Sequence, residues 1–349
     1  MTPLSTTPLL AFAVTLTLHL VARRVFPRLG LLDFPNRYGL DRPQLPYPTG
    51  IIAVLVFFLF FPFLEPKSMQ ATGLIIATAL LAIACSADDR HPLPPLLRLS
   101  IHILVAVIIF VSGTRIYSLT NPLEGLLGMS VLSLDRTTIL TPFFGPLPLL
   151  SGLFTVIWLG LTINALNWFD GIPGQVTTIS TLAFVTIGLL SLSMRVNQPG
   201  LAAIAFLLAG IAAGSLLFDF PPPKVVLGDS GAMFFGLMIG VLTIYSGGKV
   251  ATAFLALGVP LIDLFLVITR RMAKGRSPFR SDRDKNEHLH NRLLAKGWSP
   301  RQIILLTASI GLAFGVTALF MDTFQKFVSA VLLFMVMVGL SFYSSPTRH

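Results

Sequence analysis

Apolar stretches of membrane-spanning length recur along almost the whole chain. A helix crosses the hydrocarbon core in about 20 mainly apolar residues. Eleven segments reach or approach that length: 8–26, 48–64, 71–87, 99–118, 149–168, 175–194, 200–219, 230–246, 250–270, 301–320 and 325–344. The second, third and eighth are short. Only 11% of the 349 residues are charged, against roughly 25% in soluble proteins, and mean hydropathy is +0.81. These values exclude a soluble globular enzyme and a disordered chain. Cys85 is the single cysteine, so no disulfide framework forms within one chain. The expected fold is an all-α polytopic bundle of about 11 transmembrane helices, one integral membrane domain over 1–349. The first segment runs into Arg23, Arg24 and Arg28 without an early basic region or a small-residue cleavage site, so it reads as a retained helix rather than a signal peptide.

Lys and Arg set the orientation. With the N-terminus outside and the C-terminus in the cytoplasm, all but six of the 25 fall on the cytoplasmic side. The six are Lys67, Arg115, Arg136, Arg195, Lys249 and Lys326. This is the positive-inside pattern, and it accounts for the net charge of +10 without nucleic acid as a partner. The stretch 120–148, with Pro122, Pro142, Pro146 and Pro148 among its residues, reads as an outer-face loop.

The acids then locate the chemistry. All but four of the 15 lie on the cytoplasmic side or in helices near it, many at helix–loop junctions. One such Asp is more often a solvated helix end than a functional group, but several segments deliver them to one face. Asp88 and Asp89 follow the third segment. Adjacent carboxylates repel unless a cation or shared proton intervenes, and acids at a helix C-terminus oppose the macrodipole. At the end of the fifth segment, Asn164, Asn167 and Asp170 are spaced three apart, a polar edge opening into a Gly-Pro-Gly turn. Their oxygens are Mg²⁺ ligand types, although Asn in a membrane helix is also interhelical glue. In Gly228-Asp229-Ser230-Gly231, Asp229 or Ser230 is expected to cap the eighth helix, whose remaining N–H groups favour phosphate. The long basic loop before the tenth segment carries Arg283, His288 and His290. It reads either as charge attracting anionic lipid or as an anion-binding lid. Asp263, deep in the ninth segment, is either a packing acid or part of a headgroup groove.

Together these stretches resemble the polyprenyl-phosphate N-acetylhexosamine-1-phosphate transferases. Asp88-Asp89-Arg90 matches their aspartate pair, and Asn164 to Gly174 their Asn-x-x-Asn-x-x-Asp-Gly-x-x-Gly stretch. Gly228 to Gly231 matches their Gly-Asp-Ser/Thr motif, and Gly275 to Phe279 with His288-Leu289-His290 their His-x-His loop. Gly30 to Asn36 resembles their early Gly-Leu-x-Asp-x-Pro-Asn segment. The matches run in order from about 30 to 300. Within the superfamily, the chain looks more like the undecaprenyl-phosphate GlcNAc-1-phosphate transferases that start O-antigen and teichoic-acid lipid intermediates than like the muramoyl-pentapeptide enzyme, which is the alternative. Three departures stand out: Pro173 replaces a second acid that helps read the nucleobase, Asn291 replaces a further His, and the basic loop is about three residues longer.

The resemblance implies a multi-pass enzyme of the bacterial cytoplasmic membrane with its active site at the cytoplasmic face. Polyprenyl phosphate attacks the β-phosphorus of a UDP-HexNAc, UMP leaves, and a sugar-diphospholipid remains. It implies Mg²⁺, or Mn²⁺ in its place, on Asn167 and Asp229. Asp88 and Asp89 act on the lipid phosphate, and Asn164, Asp170, Arg283, His288 and His290 bind substrate. Members often form homodimers, although no motif here shows one. Two rivals differ in visible ways. A CDP-alcohol phosphotransferase needs Asp-Gly-x₂-Ala-Arg, whereas Asp170-Gly171 is followed by Ile-Pro-Gly-Gln. A polytopic transporter places its acids at mid-membrane, where only Asp263 falls.

Overall fold

The structure, a computed structural model, describes residues 3–35, 42–65, 67–124, 128–194, 196–247, 250–277 and 287–345. Arg283 lies outside the described residues, as do Asn36 and Phe279 of the matched motifs. The fold is an all-α polytopic bundle. Its helices are α1 (Pro3–Arg28), α2 (Gly50–Leu64), α3 (Met69–Arg90), α4 (Pro95–Val111), α5 (Leu149–Phe169), α6 (Gln175–Leu192), α7 (Pro199–Asp219) and α8 (Asp229–Tyr245). There follow α9 (Val250–Ala256), α10 (Gly258–Ala273), α11 (Leu289–Ala295), α12 (Pro300–Phe320) and α13 (Thr323–Tyr343). Among the described residues, seven helices are long and apolar enough to cross a membrane, and α9 with α10 makes an eighth span if counted as one. The other three expected spans, α2, α4 and α8, are apolar but shorter.

Three expectations are corrected. The third helix is not short: it continues through Asp88 and Asp89 to Arg90, so the acid pair lies inside its last turn rather than after it. The ninth segment is broken, with α9 and α10 meeting at 85°. Pro260 explains the break, because it has no N–H for the carbonyl of Ala256 and its ring crowds that turn. The stretch 120–148, expected to be plain loop, carries strands of two hairpins. Strand β1 (Ser118–Thr120) pairs with β2 (Val131–Ser133), and β3 (Thr138–Thr141) with β4 (Gly145–Pro148), both antiparallel.

Helix starts follow local chemistry. Ser68 accepts the N–H of Ala71 at the head of α3. Reciprocal capping boxes, Ser299 with Gln302 and Asp322 with Gln325, open α12 and α13. Helix α8 is the core of the bundle. Every residue from Ser230 to Ile244 is buried, with α2, α3, α5 and α6 packed around it. Helices α2 and α8 cross at Gly50 and Gly231, where a Cβ on Gly50 would lie 2.1 Å from the Gly231 nitrogen. Backbone cannot yield there as a side chain can. Gly50→Ala should therefore cost about 1–3 kcal/mol. Gly160→Ala, with nothing within 4 Å of its Cβ, should stay within about 0.5 kcal/mol of the parent. Thermal unfolding of the two variants in detergent checks this, and equal midpoints would refute the crossing.

Candidate active site

The acids meet around the N-terminus of α8. Because Gly228 supplies no side-chain cap, the first N–H groups of a buried helix need an acceptor from elsewhere. Asp89 of α3 provides it, accepting the N–H of Asp229 at 3.0 Å on Oδ1 and that of Ser230 at 3.3 Å on Oδ2. The Tyr47 hydroxyl also donates to Asp89 Oδ1, at 2.5 Å. The expectation that Asp229 or Ser230 caps this helix is thus corrected, and two of the N–H groups expected to favour phosphate already hold a carboxylate. The segment before α2 fixes the approach. Val226 N–H donates to the Pro46 carbonyl at 3.0 Å, and Thr49 and Gly50 donate to the carbonyls of Val226 and Leu227 at 3.0 and 2.8 Å. Gly228 has φ of +80°, and a Cβ there would lie 2.8 Å from Pro48 Cβ and 2.9 Å from Tyr47 Cε2. Only glycine meets both conditions.

Asp88 is buried and has partners of its own. It accepts the Leu93 N–H at 2.5 Å, and Arg98 Nε of α4 lies 3.0 Å from its Oδ2 in an ion pair. The same guanidinium lies 3.7 Å from Asp229 Oδ2, so Arg98 bridges two acids. The Asp229 side chain keeps 30% of its surface open, against 4% for Asp88. Each acid at the C-terminal end of α3 therefore has donors that offset the unfavourable macrodipole.

Asp170 terminates α5 as its C-cap. Burial, reinforced by the nearby carboxylates of Asp219, Asp229 and Asp89, pushes its pKa well above the usual carboxylate range. Asp219, at the end of α7, holds the following turn by accepting Gly174 N–H at 2.8 Å and the Thr177 hydroxyl at 3.1 Å. Asn167 is half-buried and makes no hydrogen bond through its side chain among the described residues. Asn164 faces α4 instead: its amide nitrogen lies 3.2 Å from His102 Nδ1 and 2.8 Å from the Gly160 carbonyl. Of the three-residue polar edge, Asn167 and Asp170 belong to the acidic end, and Asn164 ties two helices together.

The His loop closes over the same end. His290 sits on the turn after α5, where a Cβ on Gly171 would fall 1.9 Å from its Nε2. His288 stacks on His290 with centroids 5.4 Å apart and meets the edge of Trp168 at 5.7 Å. Arg271 lies over Trp168 at 4.9 Å and pairs with Glu287 at 2.5 Å. Sequence reasoning brought these motifs to one face; it counted Asp219 as a junction acid and Arg98 as a cytoplasmic cation but gave neither a role in the site, and it gave none to Tyr47. The only signals were a Tyr-Pro-Thr-Gly segment, an Arg after a Pro-rich break and an acid at a helix end, each ordinary on its own.

Burial pushes the His290 pKa down to about 4, with Asp263 pulling the other way. Below about pH 6.5 the unfolded chain takes up a proton at this ring that the folded chain refuses. Its contribution to stability is therefore complete above pH 6.5 and falls as pH drops toward 4, by about 3 kcal/mol at most. Unfolding measured between pH 7 and 4 should show a flatter decline for His290→Gln than for the parent. Parallel curves would contradict the assignment.

The glycosyl transferase family 4 model matches residues 71–247. The chain is 25% identical to the "Probable undecaprenyl-phosphate N-acetylglucosaminyl 1-phosphate transferase" of Bacillus subtilis, over 97% of this chain and 91% of that protein. It is 28% identical to the "Decaprenyl-phosphate N-acetylglucosaminephosphotransferase" of Mycobacterium leprae, over 74% and 67%. It is 26% identical to the "Undecaprenyl-phosphate alpha-N-acetylglucosaminyl 1-phosphate transferase" of Escherichia coli K12, over 93% and 87%. The family model spans α3 to α8, the helices that carry Asp88, Asp89, Asn167, Asp170 and Asp229, and the chain belongs to glycosyl transferase family 4.

Proposed function

We propose that the chain transfers an N-acetylhexosamine-1-phosphate, foremost GlcNAc-1-phosphate, from a UDP-sugar to a polyprenyl phosphate such as undecaprenyl phosphate. UMP leaves, and the product is a sugar-diphospholipid for cell-envelope polysaccharide. The observation that carries this reading is the convergence of Asp88, Asp89, Asp170 and Asp229 on one buried helix N-terminus, with Arg98 bridging two of them. Acids so concentrated suit a site that receives cations and phosphates together. The printed names of the relatives support the same chemistry.

An oxygen of the lipid phosphate attacks the β-phosphorus. The bond from that phosphorus to the bridging oxygen breaks, and the electron pair departs with UMP. Such transfers depend on positioning and charge neutralisation. Asp89 already accepts three hydrogen bonds, so it positions the head of α8 and with it Asp229. Asp88 with Arg98 sets the place of the lipid phosphate, Arg98 facing its charge. That phosphate ionises a second time near pH 6, so no strong base is required. Asp170 supports the turn that faces the nucleotide, and His288 and His290, with Arg283 of the same loop, meet the diphosphate or sugar.

Mg²⁺, with Mn²⁺ as a substitute, would neutralise charge on the diphosphate and on departing UMP. The donors fit it. Asp229 is partly open, and Asn167 has an uncommitted amide. Among the described residues no three His, Cys, Asp or Glu form a ready cage. Mg²⁺ characteristically takes one or two carboxylates and completes its shell with phosphates and water.

Purified protein with Mg²⁺ and undecaprenyl phosphate should release UMP from UDP-GlcNAc or UDP-GalNAc in preference to UDP-MurNAc-pentapeptide. Asp229→Ala should lower the rate by ~10²-fold or more at normal yield of folded protein. Release from the pentapeptide donor alone would favour the muramoyl-pentapeptide reading, and no release from any donor would overturn the proposal.

We also propose that the acidic end faces the cytoplasm, N-terminus outside and C-terminus inside, because all but six of the 25 Lys and Arg then lie on that side. A C-terminal fluorescent-protein fusion should glow and a C-terminal alkaline phosphatase fusion stay inactive. The reverse pattern would invert the scheme.

A further inference from the structure

Asp263 lies in α10, well away in sequence from every acid considered so far, and only 3% of its surface is exposed. Both of its oxygens are engaged. Oδ1 accepts the backbone N–H of Leu289 at 2.9 Å, and Oδ2 lies 2.9 Å from Nδ1 of His288. A carboxylate only accepts hydrogen bonds, so the hydrogen of this second contact sits on Nδ1. The ring is held from other sides too. Trp168 meets it in a T-shaped contact, His290 stacks beside it, and Arg271 holds both Trp168 and Glu287, the residue before His288. Arg270 adds a hydrogen bond to the Glu287 carbonyl at 2.8 Å. With Nδ1 taken and the ring clamped, Nε2 is the ring nitrogen left without a hydrogen bond among the described residues.

Resting on the transferase reading above, we propose that Asp263 is a positioning residue of the site. It holds the Nδ1 hydrogen of His288, so that Nε2 is turned to the substrate phosphates. A carboxylate behind an imidazole fixes both tautomer and orientation.

Because Asp263 also caps α11, a purely structural role must be separated from a positioning one. Asp263→Asn does this. Its carbonyl oxygen can still accept the Leu289 N–H, which is the bond that secures the loop. Its amide nitrogen then faces Nδ1 of His288, and two donors cannot meet. The ring must accept at Nδ1 and carry its hydrogen on Nε2. A helix cap alone survives this change, whereas the tautomer inverts.

The test uses full-length protein in nanodiscs with ¹⁵N-labelled histidine, the His288 signals being assigned by their loss in His288→Gln. In the parent, the Nδ1 resonance should be that of a protonated nitrogen. UDP with Mg²⁺ should shift the Nε2 resonance. In Asp263→Asn the protonated nitrogen should become Nε2, the unfolding midpoint should stay near that of the parent, and kcat/KM for UMP release should fall by about tenfold to a hundredfold. An Asp263→Asn protein with parental kcat/KM and parental His288 resonances would overturn the proposal and leave Asp263 as a cap. If the parent releases no UMP from any donor, the transferase reading fails by itself. The tautomer and the response to UDP still decide the role of Asp263, and a His288 ring indifferent to both UDP and the substitution would overturn it.

Discussion

A buried helix cannot leave its first N–H groups to water, and α8 is buried from Ser230 to Ile244. The carboxylate of Asp89 resolves this by accepting the N–H of Asp229 and Ser230. That one contact joins the C-terminal end of α3 to the N-terminal end of α8, and Tyr47 and the 46–50 segment are built around it. It also reconciles two features that are unfavourable separately: an acid at a helix C-terminus and unpaired amides at a helix N-terminus. Each is the other's complement, since the negative end group meets the positive end of the second dipole.

Once α3 and α8 are joined in this way, the remaining groups have little freedom. Arg98 lies between Asp88 and Asp229, Asp170 closes α5 within the field of three carboxylates, and Asp219 fixes the turn behind it. The His loop arrives from the opposite side, resting on Gly171 and Trp168. No element supplies more than a few of these groups. Such an arrangement suits a mainly apolar bundle, because these charged groups are concentrated at one end, where Asp88, Asp89 and Asp263 each hold donors.

Much of this was legible in the sequence. Apolar runs mark the eleven segments, and the recurrence of acids at alternate helix ends is enough to bring Asp88, Asp89, Asp170 and Asp229 to one end. What was not legible depends on tertiary partners. Asp89 meets Tyr47 across 42 residues and Asp229 across 140, and no local pattern encodes such pairings. Asn164 shares its spacing with Asn167 and Asp170, yet His102 of α4 claims it. The run through 250–270 reads as one span by hydropathy, and only Pro260 hinted at the break. The hairpins between α4 and α5 are not legible because their strands are three or four residues long, below the length at which alternation is visible.

The long separation between Asp89 and its partners bears on how the chain is made. Synthesis delivers α3 to the bilayer well before α8 exists, because domains emerge N-terminal end first. During that interval Asp89 sits at a helix end without the amides of Asp229 and Ser230, and Arg90, the next residue, is the cation soonest available, with Arg98 following. The nascent acid pair therefore stays in the wet headgroup layer until α8 inserts beside it. Arrival of α8 then fills the centre of the bundle and supplies the amides that Asp89 accepts, so that a chain stopped before α8 lacks Asp229 and the junction that positions it.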